Sequence, residues 1–119
     1  MANILVLDDM EEAVAWVERI LRHKGHDVAG FTDEEQAIAH ARLNPVDLLI
    51  LDLKLKKLSG IEVLEEIKKV KPQVKAMMLT GYPSLETARR AMELGAREYC
   101  VKPTEEKELE EIVDRLLGS

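Results

Sequence analysis

Short apolar segments alternate with longer segments of helical periodicity along the whole chain. The apolar segments predict five strands: Ile4 to Leu7, Asp27 to Phe31, Val46 to Leu51, Val74 to Leu79 and Tyr99 to Lys102. The third is an almost unbroken apolar run, which is typical of a strand buried on both faces, as in a parallel sheet. Each predicted strand is followed by a segment in which apolar residues recur every three to four positions, the period of an amphipathic helix.

Capping residues delimit these helices. Gly25 and Gly95 are positioned to end the first and fourth helices. The candidate N-caps of the second to fifth helices are Thr32 or Asp33, Ser59 before Gly60, Ser84 and Thr104. Strand–helix alternation of this kind predicts an α/β fold, a doubly wound parallel sheet with helices on both faces and right-handed crossovers.

Composition agrees with one globular domain and excludes several functions. The 119 residues are 46% hydrophobic and carry 17 basic against 23 acidic residues, a net charge of −6. We expect a single domain over residues 1–119 without direct nucleic-acid contact, which requires clustered Lys and Arg. The lone Cys100 excludes an internal disulfide and suits a reducing compartment. Because no apolar segment approaches the roughly 20 residues of a membrane span, the sequence predicts a cytoplasmic protein with no membrane contact.

Chemically capable side chains stand at the carboxyl ends of four predicted strands. Asp8 and Asp9 follow the first strand, Asp52 ends the third, Thr80 the fourth and Lys102 the fifth. In a parallel sheet these ends share one edge, which is where ligands bind in such folds. We therefore expect three carboxylates, one hydroxyl group and one ammonium group to converge.

Three adjacent carboxylates predict a divalent-cation site. Their mutual repulsion raises their pKa values unless a cation is present, and a site made only of oxygen ligands suits Mg²⁺. With Lys102 as a second positive charge and Thr80 as a donor, one carboxylate can attack phosphorus and become an aspartyl phosphate. Asp52 stands alone at the end of the most central strand and is assigned as the phosphoacceptor, which leaves Asp8 and Asp9 to hold the metal.

Two residues near the first helix have alternative interpretations. Asp9 together with Glu12 is also the pattern of a capping box. Trp16 lies at the edge of the apolar stripe of that helix, where it either packs locally or contacts a partner.

Together these residues resemble the receiver domain of bacterial two-component response regulators, over essentially the whole chain. The matching motifs are Asp8-Asp9 after an apolar strand, Leu51-Asp52 before Ser59-Gly60, Leu79-Thr80-Gly81, Gly95-Ala96, and Lys102-Pro103 after Tyr99. One departure is local: Leu55-Lys56 stands where the family usually has Met-Pro.

The resemblance implies a flavodoxin-like sheet of five strands in the order 2-1-3-4-5 with five helices. It implies that Asp52 receives a phosphoryl group from the phosphohistidine of a sensor histidine kinase or of a phosphotransfer protein. It also implies that Mg²⁺ is held by Asp9, Asp52 and the backbone carbonyl of Lys54, with Asp8 acting mostly through water, and that the peptide before Pro103 is cis.

The resemblance further implies a phosphorylation switch. Thr80 and Tyr99 match the switch pair of the family: phosphate on Asp52 draws Thr80 inward, and Tyr99 moves from exposed to buried. The surface of the fourth helix, fifth strand and fifth helix then controls an output domain or effector protein. Two further positions, Lys54 and Tyr82, flank the predicted phosphoryl group and are expected to lengthen its lifetime.

Two alternative functions share features with this pattern. A haloacid-dehalogenase-type phosphatase also uses an aspartate nucleophile and Mg²⁺, but it requires a second Asp two residues after the first, where this chain has Lys54. A degenerate receiver that binds its partner without phosphorylation is the other, and the complete acidic set argues against it. We therefore expect a switch that catalyses only its own phosphorylation and dephosphorylation, either free-standing or as part of a longer regulator.

Overall fold

Strands and helices alternate strictly along the protein, whose computed structural model describes residues 1–118. The strands are β1 (Asn3–Leu7), β2 (Asp27–Phe31), β3 (Leu48–Leu51), β4 (Lys75–Thr80) and β5 (Glu98–Val101). The helices are α1 (Glu11–His23), α2 (Glu34–Leu43), α3 (Gly60–Val70), α4 (Leu85–Glu93) and α5 (Glu106–Leu117). Within this range no helix is long and apolar enough to cross a membrane.

The strands form one parallel sheet in the order β2-β1-β3-β4-β5, as predicted. Its register aligns the strand ends, because Leu7 pairs with Leu51 and Leu51 pairs with Met78. Since β1 and β3 are neighbours although the chain leaves β1 for β2, the topology reverses between them. Ligands bind at such a reversal in open α/β sheets.

Side chains of each strand alternate between two hydrophobic cores. Leu5 and Met78 belong to the core under α2, α3 and α4, which we call the front core. Val6 and Met77 belong to the core under α1 and α5, which we call the back core. Because successive residues of a strand point to opposite faces, both faces of the sheet are covered and the strands can be apolar throughout.

Several helix ends were predicted correctly. Ser59 and Glu62 form a capping box at the start of α3, and Asp33 and Ser84 accept the backbone N–H groups of Gln36 and Thr87. Gly25 and Gly95 follow α1 and α4 with φ of 93° and 94°. These left-handed conformations favour glycine because it has no Cβ.

Other boundaries differ from the predictions. β3 begins at Leu48 rather than Val46, and β4 and β5 are each displaced by one residue. The prediction that Thr104 caps α5 is wrong: Glu105 is the N-cap and makes no side-chain cap hydrogen bond. The Thr104 hydroxyl group instead donates to the carbonyl of Val101 at 3.5 Å, so it stabilises the turn after β5.

Candidate functional site

Asp8 and Asp52 lie where β1 and β3 end, on the face of the sheet that carries the back core. Val6 and Ile50, two residues earlier in these strands, belong to that core, and the alternation of a strand extends the same orientation to the two aspartates. Both carboxylates are buried, with 5% of Asp8 and 4% of Asp52 exposed. The fold therefore withdraws two negative charges from water at neighbouring positions.

Asp9 completes an acidic cluster with these two residues. One carboxylate oxygen from each of Asp8, Asp9 and Asp52 lies within 4.8 Å of the others. Asp9 is half-buried and does not cap α1, whose N-cap is Met10 without a side-chain hydrogen bond. The alternative interpretation of Asp9 and Glu12 as a capping box is therefore wrong. Three hard oxygen donors at this separation fit a divalent cation such as Mg²⁺.

Lys102 brings the positive charge that the sequence predicted at this edge. Its Nζ lies 2.5 Å from Oδ2 of Asp8 and 3.5 Å from Oδ2 of Asp52. Burial alone would lower the pKa of Lys102, but the hydrogen bond and charge of Asp8 and the charge of Asp52 outweigh it and raise the pKa. The ammonium group is therefore charged at neutral pH, and the peptide between Lys102 and Pro103 is cis, as expected.

Asp52 is held by its own loop. Its Oδ1 accepts the backbone N–H of Leu53 at 2.7 Å. The start of α3 packs directly behind it, because a Cβ at Gly60 would lie 2.0 Å from the carbonyl oxygen of Asp52. Burial and the charge of Asp8 raise the pKa of Asp52, although Lys102, Thr80 and the Leu53 N–H act in the opposite direction. A raised pKa of Asp52 is the result expected from repulsion between the carboxylates of the cluster.

Thr80 and Tyr99 lie on the front face of the sheet, on neighbouring strands. Thr80 is completely buried, and its Oγ1 accepts the N–H of Tyr82 at 3.0 Å. Tyr99 is half-buried and packs against the front core. Its hydroxyl group accepts the N–H of Ser84 at 3.1 Å and lies 2.8 Å from Oγ1 of Thr87. The tyrosine of the predicted switch pair is thus bonded to the first turn of α4.

Lys54 and Tyr82 contact each other at the rim of the site. The Nζ of Lys54 lies 4.4 Å from the centre of the Tyr82 ring, which is within the range of a cation–π interaction. Both side chains are otherwise exposed to solvent, Tyr82 by 61%. They come from the loops after β3 and β4, so their contact joins these two loops beside Asp52.

A crevice of about 400 Å³ opens beside the acidic cluster on the back face. Asp8, Asp52 and Lys102 line its polar end, and Trp16 and Pro103 line its apolar part. Trp16 is half-buried and packs against the back core. Local packing therefore accounts for this tryptophan, and a contact with a partner stays a prediction.

The sequence interpretation missed two residues close to the site. Thr87, the partner of the Tyr99 hydroxyl group, looked like any polar residue in the first turn of a helix. Glu34 belongs to the acidic run at the start of α2, yet it is completely buried. A run of acidic residues at a helix start normally faces solvent, so its residue types contain no signal for this burial.

Comparisons with known proteins agree with this geometry. The model of the response regulator receiver domain family matches residues 4–114. The transcriptional regulatory protein ZraR of Escherichia coli is 32% identical over 98% of this chain, which spans only 26% of ZraR. A CheY-like receiver domain protein from Methanospirillum hungatei has a TM-score of 0.96 at 30% identity, covering 99% of this chain and 94% of that one. TrrA from Thermotoga maritima, in complex with Mg²⁺-BeF, has a TM-score of 0.88 at 32% identity, covering 98% and 100% of the two chains.

Proposed function

The chain belongs to the response regulator receiver domain family, whose members are signalling switches, and on that basis we propose that it is switched by phosphorylation of Asp52. The phosphoryl donor is the phosphohistidine of a sensor histidine kinase or of a phosphotransfer protein. One observation carries the proposal: the Asp8, Asp9 and Asp52 carboxylates meet within 4.8 Å, with the Lys102 ammonium group 3.5 Å from Asp52.

In the proposed transfer, an oxygen of Asp52 attacks phosphorus. The P–N bond of the phosphohistidine breaks, its electron pair stays on the imidazole nitrogen, and a P–O bond forms to the Asp52 carboxylate. The ammonium group of Lys102 is positioned to pair with a phosphoryl oxygen in place of one of its carboxylate partners. The Thr80 hydroxyl group, on the neighbouring strand, donates to another oxygen of the same group. Positioning and electrostatic stabilisation are the main contributions that phosphoryl transfer requires of a protein.

The donor set fits a resident Mg²⁺ ion. Asp9, Asp52 and the backbone carbonyl of Lys54 would hold it, with Asp8 acting mostly through water. When bound, the ion neutralises the clustered carboxylates and offers open positions to phosphoryl oxygens. The relative TrrA, whose structure contains Mg²⁺-BeF, supports this choice of metal.

The signal is proposed to leave through α4, β5 and α5. Thr80 moves towards the new phosphoryl group, Tyr99 becomes more buried, and the altered surface controls an output domain or effector protein. Such a change is a shift between two populated states, driven by charge-assisted contacts made only after phosphorylation. The domain acts in the cytoplasm without contacting nucleic acid itself.

A phosphatase acting on external substrates is the alternative enzyme class. That chemistry needs an acid–base carboxyl group two residues after the nucleophile, and Lys54 occupies this position with its Nζ against the Tyr82 ring. A lysine side chain carries an ammonium group, which has donors and no acceptor, and so it does not supply this carboxyl group. We therefore assign the protein no enzymatic turnover beyond its own phosphorylation and dephosphorylation.

Phosphorylation by acetyl phosphate tests the proposed function. With Mg²⁺ present, intact-mass measurement should show one phosphate adduct on the wild-type protein, lost at high pH. Asp52→Asn should give no adduct, whereas Asp27→Asn, at the opposite edge of the sheet, should behave like the wild type. Asp9→Ala should need a much higher Mg²⁺ concentration. An adduct on Asp52→Asn equal to that of the wild type would refute the assignment of the nucleophile.

A further inference from the structure

A buried carboxylate attaches the loop that follows Asp52 to the start of α2. This β3–α3 loop spans residues 52–59. Glu34, the first residue of α2, is completely buried, and its Oε2 accepts the backbone N–H groups of both Lys57 and Leu58, the latter at 2.7 Å. Hydrogen bonds to a charged acceptor are stronger than those between neutral groups. One side chain outside the loop thereby orients two consecutive peptide groups within it.

The role of Glu34 is not explained by α2 alone. Asp33 already caps this helix by accepting the N–H of Gln36, and the exposed carboxylate of Glu35 in the same first turn already interacts favourably with the helix dipole. The Oε1 atom of Glu34 is buried and has no hydrogen-bond partner among residues 1–118. A buried polar atom left unpaired is unfavourable and calls for a compensating function.

Glu34 remains charged in this position. Burial alone would raise the pKa of its carboxyl group, but the N–H donors of Leu58, of Glu34 itself and of Lys57 outweigh burial and lower the pKa. The negative charge is therefore balanced by the peptide dipoles of the loop.

The ion pairs that Lys57 forms with residues at the start of α2 lie at the surface, unlike the hydrogen bonds of Glu34. The Nζ of Lys57 lies 2.7 Å from Glu35 and 3.3 Å from Asp33, and all three side chains are exposed or half-exposed. Exposed ion pairs of this kind stabilise little, because solvent screens them. Glu35 therefore provides a control: it contacts the same loop residue as Glu34, but at the surface.

The same loop supplies a proposed metal ligand. Its first residue is Asp52, and its third, Lys54, offers the backbone carbonyl assigned to Mg²⁺. At its other end, the N–H of Gly60 donates to the carbonyl of Leu53 at 2.8 Å, which closes the loop on itself. Between these points the loop has Leu55 and Lys56 where receiver domains usually have Met-Pro. The loop therefore lacks the stiffness that a proline would give it.

We infer that Glu34 is a positioning residue that holds the β3–α3 loop in the conformation required for the Lys54 carbonyl to bind Mg²⁺. The inference rests on the proposed function, because it concerns the same metal site. Groups that orient metal ligands without touching the metal commonly change affinity by 10- to 100-fold when removed. Glu34→Ala leaves the N–H groups of Lys57 and Leu58 without this acceptor. Glu34→Gln keeps the shape and one acceptor oxygen, and so its effect should be smaller.

The first test needs no metal. Amide hydrogen exchange of the metal-free protein should show the N–H groups of Lys57 and Leu58 protected in the wild type and in Glu35→Gln. In Glu34→Ala these two amides should exchange at least about tenfold faster than the wild-type amides. Ile112→Ala, which truncates a side chain of the back core, controls for a general loss of stability. Unchanged protection of both amides in Glu34→Ala would overturn the inference.

The second test is a Mg²⁺ titration followed by Trp16 fluorescence and by the phosphorylation rate with acetyl phosphate. The concentration of Mg²⁺ giving half the effect should rise about tenfold in Glu34→Ala, less in Glu34→Gln, and not in Glu35→Gln or Ile112→Ala. At saturating Mg²⁺ the phosphorylation rate of Glu34→Ala should return to that of the wild type. An unchanged midpoint, or an equal shift in Ile112→Ala, refutes the positioning role. If the wild type itself neither binds Mg²⁺ nor accepts phosphate, the proposed function fails instead.

Discussion

At the scale of single residues, the site is defined by the uneven sharing of one lysine between two aspartates. Lys102 is 1.0 Å closer to Asp8 than to Asp52, at 2.5 Å against 3.5 Å. Asp8 is therefore the better neutralised of the two. Asp52 keeps a raised pKa and a less tightly paired carboxylate. This asymmetry suits a nucleophile that must approach phosphorus, beside a carboxylate that stays paired.

We propose that two residues at the rim lengthen the lifetime of the phosphorylated state. Lys54 and Tyr82 contact each other, and in the proposed role they restrict the approach of water in line with the P–O bond. Replacing both with alanine should shorten the half-life of the phosphate adduct several-fold, as timed by intact-mass measurement. Val101→Ala, an exposed change on β5, is the control. A double variant with a half-life equal to or longer than that of the wild type would remove the shielding role and leave the switch assignment intact.

Cys100 gives a separate prediction about pH. It packs against the back core, and burial, the largest cause, raises the pKa of its thiol to about 11. Because the thiolate is the reactive form, alkylation of the folded protein should be slow at pH 8 and accelerate up to about pH 11. The denatured protein should already react fast near pH 8.5. A folded protein whose alkylation rate levels off below pH 9 would contradict this picture of β5.

At the scale of elements, strand alternation places the acidic cluster and Tyr99 on opposite faces of the sheet. Asp8, Asp52 and Lys102 line the crevice on the back face, whereas Tyr99 packs on the front face and is hydrogen-bonded to the first turn of α4. Thr80 is the last residue of β4, the strand that lies between β3 and β5 in the sheet. We propose that a movement of Thr80 towards Asp52 changes the packing of Tyr99, and that the hydrogen bond between Tyr99 and Ser84 transmits this change to α4.

Thr80→Ala tests this coupling. The variant should still be phosphorylated on Asp52, because the nucleophile and Lys102 remain, but the NMR chemical shifts of Tyr99 should respond much less to a phosphate mimic. The comparison is with Thr104→Ala, which alters a threonine in the turn after β5. If Tyr99 responded fully in Thr80→Ala, the path from Asp52 to α4 would have to avoid Thr80.

At the scale of the whole molecule, stability and function oppose each other at the acidic cluster. The two hydrophobic cores stabilise the sheet on both faces, while the fold buries two carboxylates next to each other. A group with a raised pKa in the folded state is more acidic once unfolded, so its ionised form at neutral pH favours unfolding. Asp52 is such a group.

Thermal unfolding should therefore respond to both charge and metal. Without metal at neutral pH, Asp52→Asn should melt at a higher temperature than the wild type, because one buried negative charge is gone. Mg²⁺ at ten times its Kd should stabilise the wild type by about 1.4 kcal/mol, and Asp52→Asn much less. Calorimetric scans with and without Mg²⁺ measure both effects. If Asp52→Asn melted lower than the wild type without metal, charge repulsion would not be the dominant effect of Asp52 on stability.

The pattern of apolar and polar residues along the chain was enough to predict the five strand–helix units. It also predicted the polar side chains at the carboxyl ends of the strands. Strands with continuous apolar runs must be covered on both faces, so they form a parallel sheet, and a parallel sheet gathers its carboxyl ends at one edge. The convergence of Asp8, Asp9, Asp52 and Lys102 was predicted in this way, from their places at the strand ends. Strand order came only from the resemblance, because pairing between β1 and β3 is non-local and leaves no trace in either segment.

Tertiary structure alone decided which charged residues are buried and which partners they take. Glu34 and Glu35 are adjacent and chemically identical, yet one is completely buried against the β3–α3 loop and the other lies at the surface. Lys102 pairs more closely with Asp8 than with Asp52, and Thr104 bonds back to Val101 instead of capping α5. These choices depend on how loops distant in sequence pack together. The sequence by itself therefore determined the elements and the chemistry of their ends, and packing decided how that chemistry is held.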